Sequence, residues 1–208
     1  MKPIKNELQR YDDNTRMNHW VIALLFVFAS LSGLAFFHPS LFFLSNLFGG
    51  GTWSRILHPY LGVFMCLSFM GLFFRLRGDN VLNSQDRQWL NHASEMVRGD
   101  KTNLPPVGKY NAGQKLVFWL MAVSLVILLV TGILFWHAWF PGVPGVARRV
   151  AVVLHAASAV VLVLTVIVHV YAAIWVKGTT RAMTRGTVTP GWAKLNHPLW
   201  YQEMTRGK

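Results

Sequence analysis

Hydrophobic positions in this 208-residue chain fall in long unbroken runs separated by polar stretches, with little sign of alternation at a strand period. Four runs are long enough to cross a bilayer, at about 20–37, 56–74, 116–136 and 150–175, because a hydrocarbon core of roughly 30 Å takes about 20 residues of helix. Backbone groups in lipid need partners inside their own segment, so each run reads as a helix. The expected fold is all-α, an integral membrane four-helix bundle forming a single domain over 1–208, with 177–208 a tail at the membrane surface. Gly49, Gly50 and Gly51 should break any helix in the loop before the second run. Pro59 reads as a first-turn residue of that run, where it removes no hydrogen bond. No internal repeat or low-complexity tract stands out, and loop 75–115 is polar enough to hold at most short interfacial helices.

Composition agrees with the pattern, at 53% hydrophobic and 13% charged residues. The formal charge of +12 would fit a nucleic-acid partner, but its distribution argues against one. With four spans, both termini and loop 75–115 share a side, and they hold 17 of the 20 Lys and Arg residues. Only Arg55, Arg148 and Arg149 fall opposite. By the positive-inside rule the termini are cytoplasmic. All eight acidic residues also lie outside the spans, which weakens a pump or cation-coupled transporter reading. Residues 1–16 are polar and basic with no convincing cleavage site behind them, so the first helix is expected to be retained. The single cysteine, Cys66, excludes an internal disulfide, and there is no C-x-x-C-H for covalent haem attachment.

The polar outliers in the spans are histidines. His155 and His169 lie on the fourth run, and their spacing gives a helical rise of about 21 Å and a turn about 40° short of four revolutions, so they share a face near opposite membrane surfaces. His58 enters the second run near the outer face and His19 the first near the cytoplasmic face. Depth therefore pairs His58 with His155 and His19 with His169. A buried imidazole needs a partner, and neutral imidazole is a ligand for haem iron, so two b-type haems, each held by a histidine pair, are expected. The alternatives are hydrogen-bonded core histidines in a haem-free anchor or small transporter. A zinc or copper site is disfavoured because neither pair has a further Cys or carboxylate ligand. His38, His92, His137 and His197 lie in loops or at a helix end and read as ordinary solvated residues. Gly33, Gly62 and Gly132 thin the neighbouring helices, which suits a flat macrocycle or close helix packing.

Arg55-Ile56-Leu57-His58-Pro59, Lys109-Tyr110-Asn111-Ala112-Gly113-Gln114-Lys115, Tyr171 through Trp175-Val176-Lys177-Gly178, and the order of the four histidines resemble the gamma subunit, cytochrome b556, of respiratory formate dehydrogenase. The resemblance covers almost the whole chain and extends to His197-Pro198 and Trp200-Tyr201. It implies a multi-pass subunit of the bacterial inner membrane, bound to an iron-sulfur beta subunit that relays electrons from a formate-oxidising alpha subunit. It also implies noncovalent haem b on the periplasmic side at His58 and His155, and on the cytoplasmic side at His19 and His169. Menaquinone would be reduced beside the cytoplasmic haem, at residues matching Asn111, Gly113 and Gln114, with His169 close by. On the residues alone, Asn111 to Gln114 reads equally as a helix cap before Lys115. His137-Ala138 departs from the Arg-Pro more usual in the family. A cytochrome b of a hydrogenase or another periplasmic oxidoreductase is the nearest alternative.

Overall fold

The computed structural model describes residues 7–98, 104–136 and 138–206, the side chains of Met96 and Val97 excepted. His137 lies outside the described residues. In chain order the elements are β1 (Leu8–Gln9), α1 (Asp13–Phe37), a 3-10 helix (Pro39–Phe48), α2 (Gly51–Leu76), a 3-10 turn (Gly78–Asn80), α3 (Ser84–Asn91), α4 (Ala93–Val97), α5 (Ala112–Phe135), α6 (Gly145–Trp175), α7 (Thr180–Arg185), β2 (Thr187–Val188), α8 (Pro190–Asn196) and α9 (Pro198–Thr205).

Among the described residues four helices, α1, α2, α5 and α6, are long and apolar enough to cross a membrane. All four start ahead of their expected runs; α1, α2 and α6 contain them, while α5 ends at Phe135, one residue short. At α1 and α5 polar caps outside the apolar stretch set the first turn. Asp12 accepts the Thr15 amide at 2.6 Å before α1, and Asn111 and Gln114 bond each other's backbone amides before α5. Gly49 and Gly50 end the 3-10 helix at φ 85° and 98°, left-handed values that glycine adopts without strain. Helix α2 then begins at Gly51, which places Pro59 inside the helix and corrects the first-turn expectation. The proline leaves the Arg55 carbonyl without its intrahelical amide.

The chain divides into two compact units. One comprises Met17–Phe73 and Leu120–Val168. Its core is Ala29, Met65, Leu125 and Leu162, with Leu25, Leu61, Phe69 and Leu128 packed around them. Its outward positions are apolar as well: Leu24 is 58% exposed, Phe64 58%, Val126 62% and Val153 68%. A surface of that kind calls for an apolar surround, and this is a multi-pass membrane protein.

The other unit comprises Met1–Arg16, Phe74–Trp119 and His169–Lys208. Strands β1 and β2 pair antiparallel, Leu8 with Val188 and Gln9 with Thr187. Leu8, Val188, Ala182, Ala193 and Trp200 form the core they cover. The buried Arg10 guanidinium lies over the rings of Trp200 (4.8 Å), Trp192 (5.3 Å) and Tyr110 (5.6 Å), and it donates to the Lys109 carbonyl. Helix α3 opens on a reciprocal cap between Asn83 and Asp86. The Asp86 carboxylate also meets Lys115 of α5 at 2.7 Å, the two side chains being 9% and 7% exposed.

Candidate functional site

His58 of α2 and His155 of α6 meet within one unit, their ring centres 6.2 Å apart and their planes at 69°. Two imidazoles bonded at about 2 Å to opposite sides of one first-row metal ion have ring centres about 6 Å apart. Each Nδ1 is already engaged: that of His58 lies 3.0 Å from Ser32 Oγ and 3.1 Å from the Ala29 carbonyl, and that of His155 lies 3.0 Å from Thr131 Oγ1. A carbonyl only accepts, so His58 Nδ1 carries the hydrogen and Nε2 the lone pair, the tautomer that ligates through Nε2. Glycines flank both rings. A Cβ on Gly33 would come within 2.9 Å of His58 Cε1, and one on Gly132 within 3.3 Å of His155 Cε1. At Gly62 an added Cβ meets nothing within 4 Å. The residues present therefore fit a bis-histidine haem: two imidazoles 6.2 Å apart, their Nδ1 atoms committed elsewhere, in an apolar surround.

His19 belongs to the same unit as His58, in the second turn of α1, half-buried with its ring edge-on to Trp20 at 5.3 Å. His169 belongs to the other unit and is exposed on α6.

Asn111 and Gln114 form the cap: Gln114 N donates to Asn111 Oδ1 at 2.9 Å, and Asn111 N donates to Gln114 Oε1 at 3.0 Å. The cap uses both amide oxygens and neither amide NH2 group. Asn111 also lines a cavity of about 320 Å³ with Asp86, Trp89, Lys109, Tyr110 and Lys115. Gly113 packs under Trp89, whose Cη2 would lie 3.2 Å from an added Cβ. Burial holds the Tyr110 phenol well above its usual pKa of 10.0.

Of the histidines read as ordinary, His38 caps the 3-10 helix by accepting the Ser40 amide at 3.2 Å, and His92 Nδ1 lies 3.0 Å from the Gln88 carbonyl. His197 corrects the expectation of a solvated ring. It is 2% exposed, donating from Nδ1 to the Gly108 carbonyl at 2.8 Å while Arg10 approaches Nε2 at 3.4 Å. The sequence reading missed Ser32 and Thr131, whose signal is a repeated Ser/Thr-Gly step ahead of an aromatic pair, Ser32-Gly33 before Phe36-Phe37 and Thr131-Gly132 before Phe135-Trp136.

Residues 10–186 match the family model described as prokaryotic cytochrome b561. The chain is 41% identical over 203 residues to the formate dehydrogenase cytochrome b556(fdo) subunit of Escherichia coli strain K12, covering 97% of this chain and 95% of that one. It is 37% identical over 194 residues to the nitrate-inducible cytochrome b556(Fdn) subunit of the same strain, at 93% and 89% coverage. With the formate dehydrogenase cytochrome b556 subunit of Haemophilus influenzae it shares 36% over 202 residues, at 96% and 84% coverage.

Proposed function

Because this chain belongs to the prokaryotic cytochrome b561 family, among the cytochrome b556 subunits of formate dehydrogenase, we propose that it is the di-haem b membrane subunit of such a complex. It takes electrons from a periplasmic iron-sulfur subunit, itself supplied by a formate-oxidising subunit, and delivers them to menaquinone near the cytoplasmic face of the bacterial inner membrane. The observation that carries this reading is the His58 and His155 pair, 6.2 Å between ring centres.

Bound haem b supplies reversible one-electron chemistry. His58 and His155 hold it on the periplasmic side, and His19 and His169 on the cytoplasmic side. The second pair is supported by sequence depth, His169 lying one membrane leaflet and more, about 21 Å of helix, from His155. The amide NH2 groups of Asn111 and Gln114 donate to a quinone oxygen, beside Gly113, whose missing side chain lets Trp89 close over the start of α5. The proposed topology, four spans with both termini cytoplasmic, follows the placement of 17 of 20 basic residues. In that topology protons reach the reduced quinone from the cytoplasm without an acidic residue in the spans.

The test is a haem count per chain with reduced-minus-oxidised spectra of the purified protein, wild type beside His155→Ala and His169→Ala. Two noncovalent haems, one lost with each substitution, are expected. A wild-type protein with no haem band would overturn the reading.

A further inference from the structure

Each imidazole of the outer pair leans on a hydroxyl from the preceding long helix, and the two hydroxyls occupy equivalent places. Ser32 of α1 faces His58 and Thr131 of α5 faces His155, each at 3.0 Å from Nδ1 and separated from its histidine by 26 and 24 residues. Ser32 Oγ also lies 2.8 Å from the Phe28 carbonyl and 3.0 Å from that of Ala29. Thr131 Oγ1 lies 2.6 Å from the Ile127 carbonyl and 3.3 Å from that of Leu128.

A hydroxyl has one hydrogen to give. In both residues a carbonyl of the residue's own helix is within its reach, at 2.8 Å for Ser32 and 2.6 Å for Thr131, which leaves the oxygen a lone pair for the imidazole. The His155 ring also bonds the Leu128 carbonyl, which only accepts; a hydrogen on Nδ1, as in His58, leaves the ligating lone pair on Nε2 of both rings. The hydroxyls are closed off from solvent, Ser32 at 0% and Thr131 at 4% exposure. Each is satisfied by its own helix without the histidine, so the contact serves the ring. Beside each ring the glycine that follows the hydroxyl residue leaves bare backbone, where an added Cβ would lie 2.9 Å from His58 Cε1 and 3.3 Å from His155 Cε1. Hydroxyl and glycine together fix the plane of the imidazole.

We propose that Ser32 and Thr131 are paired positioning residues of the haem site, holding His58 and His155 in the Nδ1–H tautomer at fixed ring angles and strengthening both as electron donors to the iron. This rests on the haem reading above. Outer partners of metal-bound histidines commonly act in this way, and their loss changes affinity or activity about 10- to 100-fold. Stronger donation favours the ferric state, so removing a hydroxyl should raise the midpoint potential of the haem concerned. A tenfold loss of ferric preference corresponds to about 59 mV for one electron.

The experiment uses the full-length haem-loaded protein with Thr131→Val, which keeps the shape and deletes the hydroxyl, Thr131→Ser, which keeps the hydroxyl, and Ser32→Ala. Haem content, potentiometric midpoints and the low-spin ferric paramagnetic resonance spectrum are read, with the other haem as internal reference. The expected result is a raised midpoint and an altered ferric signal for one haem in T131V and S32A, with T131S like wild type. Loss of one haem in T131V but not in T131S supports the same role. Unchanged midpoint and spectrum in T131V and S32A, or equal haem loss in T131V and T131S, would overturn it. Haem-free wild-type protein would refute the underlying reading instead, and this inference with it.

Discussion

Replacing Lys115 with alanine should loosen the polar unit. Lys115 Nζ sits 2.7 Å from Asp86 Oδ2 and 3.0 Å from the Val81 carbonyl, and the two charged side chains are only 7% and 9% exposed. At that separation the attraction is about 6 kcal/mol for an effective dielectric constant near 20. Much of it offsets the loss of hydration of both groups. Removing one partner strands the other charge, which costs about 3–5 kcal/mol. Asp86 keeps the Asn83 amide at 2.8 Å, so the lower end, about 3 kcal/mol, is expected. The combined variant, Lys115→Met with Asp86→Asn, carries no stranded charge and retains a side chain able to cap α3; it should lie within about 1 kcal/mol of wild type. Unfolding in mixed micelles of rising dodecyl sulfate fraction, followed by circular dichroism, measures both. A K115A protein within about 1 kcal/mol of wild type, or a double variant as weak as the single, would show that the pair is effectively hydrated and the reasoning wrong.

Asn111→Asp separates the cap of α5 from quinone binding: aspartate caps as well as asparagine but has no NH2 to donate. Fold stability should hold while the KM for quinone rises roughly fivefold, the worth of about 1 kcal/mol; an unchanged KM would leave Asn111 as a cap alone. Tyr110 predicts an alkaline limit. Its phenol is held above the usual 10.0, chiefly by burial. The neutral form favours the folded state, so its contribution is fully present below pH 10 and is lost as pH rises toward the folded-state value. Tyr110→Phe should flatten the stability curve above pH 10, and a parallel decline in both proteins would assign the loss to another group.

The long helices were legible because length and apolarity are local properties, whereas their ends were not. Asp12 and Asn111 set the starts of α1 and α5 from outside the apolar runs, through single hydrogen bonds that hydropathy does not register. Strands of two residues, Leu8–Gln9 and Thr187–Val188, show no period at all. Arg10 and His197 are separated by 187 residues, and only the folded polar unit explains why both are buried. The His58 and His155 encounter could be anticipated because two membrane surfaces limit depth to a small set of values, and equal depth on different helices is already half of a contact.

The supporting hydroxyls were hidden for a chemical reason. Serine and threonine within an apolar span ordinarily satisfy themselves on the helix's own carbonyls or allow close packing, and Ser32 and Thr131 do bond back in this way. Their additional relation to His58 and His155 depends on where that second lone pair points. The same step, hydroxyl then glycine, occurs on α1 and α5, each time against a histidine of the next long helix. Repetition is what separates it from incidental packing: one such contact is unremarkable for a membrane helix, while two at the same nitrogen of paired imidazoles meet a common chemical requirement.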